Sequence, residues 1–164
     1  MADKYINMTF DEERALYNLH DARIENCVFD GPADGESALK ECSDLQIINC
    51  DFRLRYPMWH LNGAEISGCT MTDTCRAALW YDNSLKIKNS ELGGIKALRE
   101  CDNTYVEKCK INSTEFGWIC RGTEIRDTEL ISEYPFFSCR NLKIDGLKMR
   151  GKYSFQYTEN VEIT

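Results

Sequence analysis

An Ile or Val returns along this chain at a nearly fixed interval. The anchors are Ile24, Ile47, Ile66, Ile87, Val106, Ile125, Ile144 and Ile163, with gaps of 23, 19, 21, 19, 19, 19 and 19 residues. A period that steady is the mark of a solenoid, in which each repeat buries its apolar face only against its neighbours. Around each anchor the apolar positions are 0, +3 and +5, as in Ile24, Cys27 and Phe29. Strict strand alternation would give 0, +2 and +4, so a corner or bulge lies between 0 and +3. At +2 stand Asn26, Asn49, Gly68, Asn89, Lys108, Asp127 and Gly146, mostly types that tolerate left-handed backbone. The +5 column, Phe29, Phe52, Met71, Leu92, Ile111, Leu130 and Met149, is apolar in every coil and is expected to face inward.

A second strand is expected in each coil after a loop, at residues 38–40, 58–60, 79–81, 98–100, 118–120, 136–138 and 155–157. The longest loop falls at residues 31–35. Asp44, Asn62-Gly63, Asn83, Asn103, Gly122, Asn141 and Asn160 then supply the turn back to the next anchor. The fold class that follows is an all-β, single-stranded parallel β-helix of 7–8 coils, with right-handed winding favoured. One domain spans residues 1–164. Residues 1–23 form an imperfect first coil or a cap. In that segment Ile6 lies 18 before Ile24, near the repeat, while Asp11-Glu12-Glu13 would suit the start of a short helix over residues 11–19. Nothing caps the C-terminal end, so self-association through an open last coil is expected.

The charge is −7, which argues against nucleic acid and anionic membrane as partners. No apolar run approaches the ~18 residues of a membrane helix. Eight of nine cysteines sit three after or five before an anchor, registers that suit small core residues. They are expected to be reduced, which fits a cytoplasmic protein. No CxxC pair exists and His20 and His60 are the only histidines, so no metal or other cofactor is expected. Cys75 lies off both registers and is expected to be more exposed than the rest, a conceivable nucleophile.

Several strings resemble a bacterial domain-of-unknown-function family of intracellular parallel β-helix proteins, grouped distantly with pectate-lyase-like folds. They include residues 31–39, 55–60, 75–81, 94–101, 115–118 and 152–157. The resemblance covers nearly the whole chain and implies a fold and a cytoplasmic location, but no activity. Family members continue for several coils beyond the last anchor here.

Two functional readings follow. Seven before each anchor stand Tyr17, Lys40, Trp59, Trp80, Arg99, Trp118, Phe137 and Gln156; one position earlier, nearly every residue is apolar. Neighbours on a strand point to opposite faces, so the mixed column should face out. Three tryptophans interleaved with cations there suggest a non-catalytic binding module for an elongated glycan or peptide. Lys40, Trp59, His60, Arg76, Trp80, Arg99, Glu115 and Trp118 are the candidate contacts. Flat indole faces would support a sugar ring or peptide, and the cations would favour an acidic ligand. The competing expectation is that loops near residues 53–56, 73–76 and 132–134 fold over the stripe and bury it. The alternative function is a carbohydrate-active β-helix enzyme, a lyase or hydrolase, with its site in the loops around Arg76, Arg99 and Glu115. Glu91 and Glu129 share the +4 register two coils apart, about 9.6 Å at the ~4.8 Å strand spacing. That sits at the outer limit of the ~6.5–9.5 Å between carboxyls in inverting glycosidases.

Overall fold

The computed structural model describes residues 2–31 and 37–164. Every strand pairing is parallel, and each coil adds one strand to each of two long sheets. The first sheet has nine strands: Asp3–Ile6, His20–Glu25, Ser43–Ile48, Asn62–Ser67, Asn83–Lys88, Asp102–Glu107, Arg121–Arg126, Arg140–Asp145 and Glu159–Ile163. The second has eight, from Thr9–Phe10 to Lys148–Lys152, and carries the +4 and +5 columns. The chain is therefore an all-β parallel solenoid of about eight turns, and no helix occurs among the described residues. The short helix weighed for residues 11–19 is a set of turns instead.

The columns pack as the repeat requires. Anchors Ile24 to Ile144 are at most 3% exposed, and the +5 residues from Phe29 to Leu130 likewise. Phe29 and Phe52 stack face to face at 4.8 Å between ring centres. All seven +2 residues have positive φ, between 45° and 73°, so the corner turns the chain from the first sheet into the second. In the opening coil Tyr5, not Ile6, pairs with Ile24. Ile6 falls on the outward side and is 44% exposed. Ser84, not Asn83, takes the left-handed turn position, three before its anchor. Asn83 instead joins a side-chain ladder, donating to Asn62 at 2.9 Å and accepting from Asn103 at 3.0 Å.

The third side is less regular than expected. Only Met58–Trp59, Leu79–Trp80 and Leu98–Arg99 form a sheet there. Further along, Gly117, Phe136 and Phe155 occupy the position of Met58, Leu79 and Leu98 but have φ of 76°, 59° and 61°, which folds this side into turns. A Cβ on Gly117 would come 2.9 Å from the Phe136 ring, so the glycine makes room for the next coil. Of the long loop expected at 31–35, residues 32–35 lie outside the described residues.

All nine cysteines are free and buried. Cys75 is no exception: it is 2% exposed and donates to the Phe52 carbonyl at 3.1 Å. Burial pushes its thiol up to about 12, which leaves almost no thiolate at neutral pH and removes it as a nucleophile.

Candidate binding face

The column seven before the anchors does face out, and its residues are half-buried or exposed from Tyr17 to Gln156. Its apolar neighbours Leu39, Met58, Leu79 and Leu98 are 0% exposed. Stacking of coils brings like positions into contact. The Trp59 and Trp80 rings lie 5.0 Å apart at 4°. Lys40 Nζ sits 4.3 Å over the Trp59 ring, and the Arg99 guanidinium 5.2 Å over the Trp80 ring. The row thus reads cation, indole, indole, cation, and the aromatic faces are already occupied. The expectation of open indole platforms is corrected on this point: stacking at the coil spacing pairs each face with a neighbour. The Lys40 and Arg99 charges are directed along the stack rather than outward to an acidic ligand.

A parallel row lies beside it, six before the anchors. His60 and Tyr81 stack at 5.2 Å and 6°. His60 packs on Trp59 at 5.6 Å and Tyr81 on Trp80 at 5.1 Å. Glu41 and Glu100 flank this row as Lys40 and Arg99 flank the other. Arg99 Nε meets Glu100 Oε1 at 3.1 Å. A hydrogen bond to the Glu100 carboxylate raises the Tyr81 phenol above its ordinary range. Tyr56 leans on both indoles, at 6.2 and 5.6 Å, so the competing loop-cover expectation is met here in part. The Trp59 and Trp80 indole N–H groups are buried and meet no acceptor in good hydrogen-bond geometry among the described residues. Trp118 differs, since its N–H donates to the Tyr134 carbonyl at 2.6 Å.

The other candidates divide. Lys96 pairs with Glu115 at 3.3 Å and lies 5.5 Å over the Trp118 ring, so Glu115 joins the far end of the ridge as a charge partner. Arg76 is exposed and its backbone bridges to Ile95, off the aromatic rows. None of Arg76, Arg99 and Glu115 lines either of the two grooves described below. Their charges go to different partners: Arg99 to Glu100 and Glu115 to Lys96.

Two grooves run along the solenoid. One, of about 480 Å³, has His60, Tyr81, Glu100 and Ile119 on one wall and Asn83, Asp102, Arg121 and Arg140 on the other. Arg121 forks Asp102 with two hydrogen bonds of 3.1 Å. The other, of about 740 Å³, lies on the second sheet and contains Glu91, Lys110, Glu129 and Lys148. These four stack in register, so a lysine separates the two carboxylates. The Tyr81–His60 wall was not anticipated from the sequence. Its signal was present: two rings at the same offset in successive coils must stack.

One family model matches residues 3–164, under the description "Protein of unknown function (DUF3737)". The chain belongs to this family. No curated protein matches the DUF3737 chain. Among solved structures, full-length QnrB1, described as a plasmid-mediated fluoroquinolone resistance protein, is 11% identical with a TM-score of 0.37, over 100% of this chain and 92% of that one. HetL, a pentapeptide repeat protein involved in heterocyst differentiation regulation from the cyanobacterium Nostoc sp. strain PCC 7120, is 8% identical with a TM-score of 0.24, over 95% and 84%.

Proposed function

We propose that this solenoid is a non-catalytic binding module that holds an elongated protein segment lengthwise against the paired aromatic rows. The observation that carries the reading is the block of four rings, Trp59, Trp80, His60 and Tyr81, stacked on the outside of a fold whose core closes without them. Aromatic surfaces that are fixed in place lose little entropy on contact and are enriched at interfaces. With the indole faces covered, the block presents ring edges, the Tyr81 hydroxyl and the adjacent polar groove. That favours a polypeptide, with its backbone groups and mixed side chains, over sugar rings that need an open aromatic plane.

The pectate-lyase-like grouping would favour a carbohydrate-active enzyme. The side-chain arrangement supports it less, because the charges on this face are consumed in neighbouring pairs and Glu91 and Glu129 have Lys110 between them. Free, buried thiols fit a reducing compartment.

The test is a parallel peptide library and glycan array on the purified chain, repeated with Tyr81→Ala and with Glu91→Ala on the opposite groove. The reading expects peptide hits that weaken at least tenfold in Tyr81→Ala and persist in Glu91→Ala. Glycan hits lost in Glu91→Ala would overturn it, as would peptide hits indifferent to Tyr81.

A further inference from the structure

The inward column five before each anchor runs Cys42, Leu61, Asp82, Cys101, Cys120, Cys139 and Thr158. Its thiols and hydroxyl work in two directions. Cys42 Sγ accepts the Leu19 N–H at 3.3 Å and donates to the Leu16 carbonyl at 3.1 Å. Thr158 Oγ1 accepts the Cys139 N–H at 3.4 Å and donates to the Phe136 carbonyl. Cys101 donates to the Leu79 and Arg99 carbonyls at 3.3 and 3.2 Å. Cys42 and Thr158 thus each take a hydrogen from the preceding coil and return one to it, and Cys101 and Cys139 donate to the preceding coil at the same register, binding successive corners together.

Asp82 stands in this column and is 2% exposed. It performs the accepting half: Oδ1 takes the Leu61 N–H at 2.8 Å. Its Oδ2 is buried and has no hydrogen-bond partner among the described residues. An ionised carboxylate has no hydrogen to donate, and a buried charge without a counter-ion is costly. By the register that sends the Cys101 thiol to the Leu79 and Arg99 carbonyls, the equivalent acceptors for a hydrogen on Asp82 would be the Met58 and Trp80 carbonyls.

We infer that Asp82 is held as the neutral acid, its Oδ2–H standing where its column otherwise has a thiol hydrogen, and that its ionisation loosens the clasp between the corners carrying His60 and Tyr81. Burial is the main influence on the carboxyl and pushes it well above the usual carboxylate range, against the pull of backbone hydrogen bonds from Leu61 and Trp80. The next titratable group in the column is the Cys101 thiol, which burial and Asp82 both push up. The groove outside holds His60, Tyr81, Glu100, Asp102, Arg121 and Arg140. Of these, Arg121 is taken up by Asp102.

The sign follows from proton linkage. The folded acid binds its proton more tightly than the unfolded one, so its stabilising contribution is complete below the unfolded pKa of about 3.9. It is lost as pH rises toward the folded value. Relative to Asp82→Asn, whose amide keeps both an acceptor and a donor, the wild-type unfolding constant should grow by nearly tenfold per pH unit across that window.

Two measurements test this. In a carbon-13 aspartate-labelled chain, the Asp82 carboxyl resonance, assigned by its loss in Asp82→Asn or Asp82→Cys, should remain at its protonated position at neutral pH. Urea midpoints taken over the acid-to-neutral range should fall for wild type relative to both Asp82→Asn and Asp82→Cys, whose shared pH profile carries the contribution of the other groups. An Asp82 resonance that titrates near the model-peptide value of about 3.9, or a pH slope shared by wild type and Asp82→Cys, would overturn the inference. Should Asp82→Asn fail to fold, the wild-type resonance and the Asp82→Cys slope decide the matter.

Discussion

Removing the Trp80 indole separates ridge from core. Trp80 is half-buried, and its losses on truncation can be counted: stacking on Trp59 at 5.0 Å and on Tyr81 at 5.1 Å, the tilted Tyr56 ring at 5.6 Å, and the Arg99 guanidinium at 5.2 Å. Aromatic pairs contribute about 0.5–1.5 kcal/mol each beyond area, and an exposed cation–π contact about 0.5–1 kcal/mol. At the low end of each range, which suits a ring half in water, the four contacts sum to about 2 kcal/mol for Trp80→Ala. Leu79, its neighbour in sequence, is 0% exposed between Met58 and Leu98. The sheet holds those flanking coils at fixed spacing, so the gap cannot close. Leu79→Ala should cost about 4 kcal/mol, toward the upper part of the ~2–5 kcal/mol range for such truncations. Urea midpoints with a shared m-value measure both. Equal losses would mean that the indole is structural core, and the case for an external aromatic face would fail with it.

Further outcomes are expected. Thiol titration without reductant should count all nine cysteines in denaturant and almost none in the native chain; a disulfide would lower the first number. Gly117→Ala should destabilise by more than about 1 kcal/mol, because φ is 76° and the added methyl meets Phe136; thermal denaturation tests it. A double-mutant cycle on Lys96 and Glu115 should give a coupling of about 1 kcal/mol or less, since both side chains remain partly in water.

The repeat made the inward columns readable because a solenoid repeats one environment. An Ile at 24 and an Ile at 125 answer the same requirement, and their neighbours follow. Departures arose where a single residue changes the local answer. Tyr5 serves as the first anchor, a half-buried ring with a polar end that pairs with Ile24. Phe136 and Phe155 enter left-handed backbone against their propensity, which ended the third-side sheet early. Cys75 was misjudged because it belongs to a loop packed inward, outside any column. The face carrying Trp59 and Trp80 was legible as outward. What those rings meet was not, because alternation gives a direction and says nothing of which neighbour fills the space. Asp82 was hidden for the opposite reason: a column full of cysteines invites reading as apolar filling, while its members act as hydrogen-bond relays.

The left-handed corners bear on how this chain could be re-engineered. Six before each anchor, φ is positive in every coil, and the residues there include His60, Tyr81 and Ile119. For a side chain with Cβ this backbone costs about 1–2 kcal/mol, least for Asn and Asp, and a β-branched residue such as Ile119 is the poorest fit. Ile119 is also 45% exposed, so little packing offsets the strain. A sequence optimised for endurance alone would place Asn or Gly at that corner. The natural chain therefore retains an untapped reserve of thermal tolerance, concentrated along the wall of the groove that His60 and Tyr81 share.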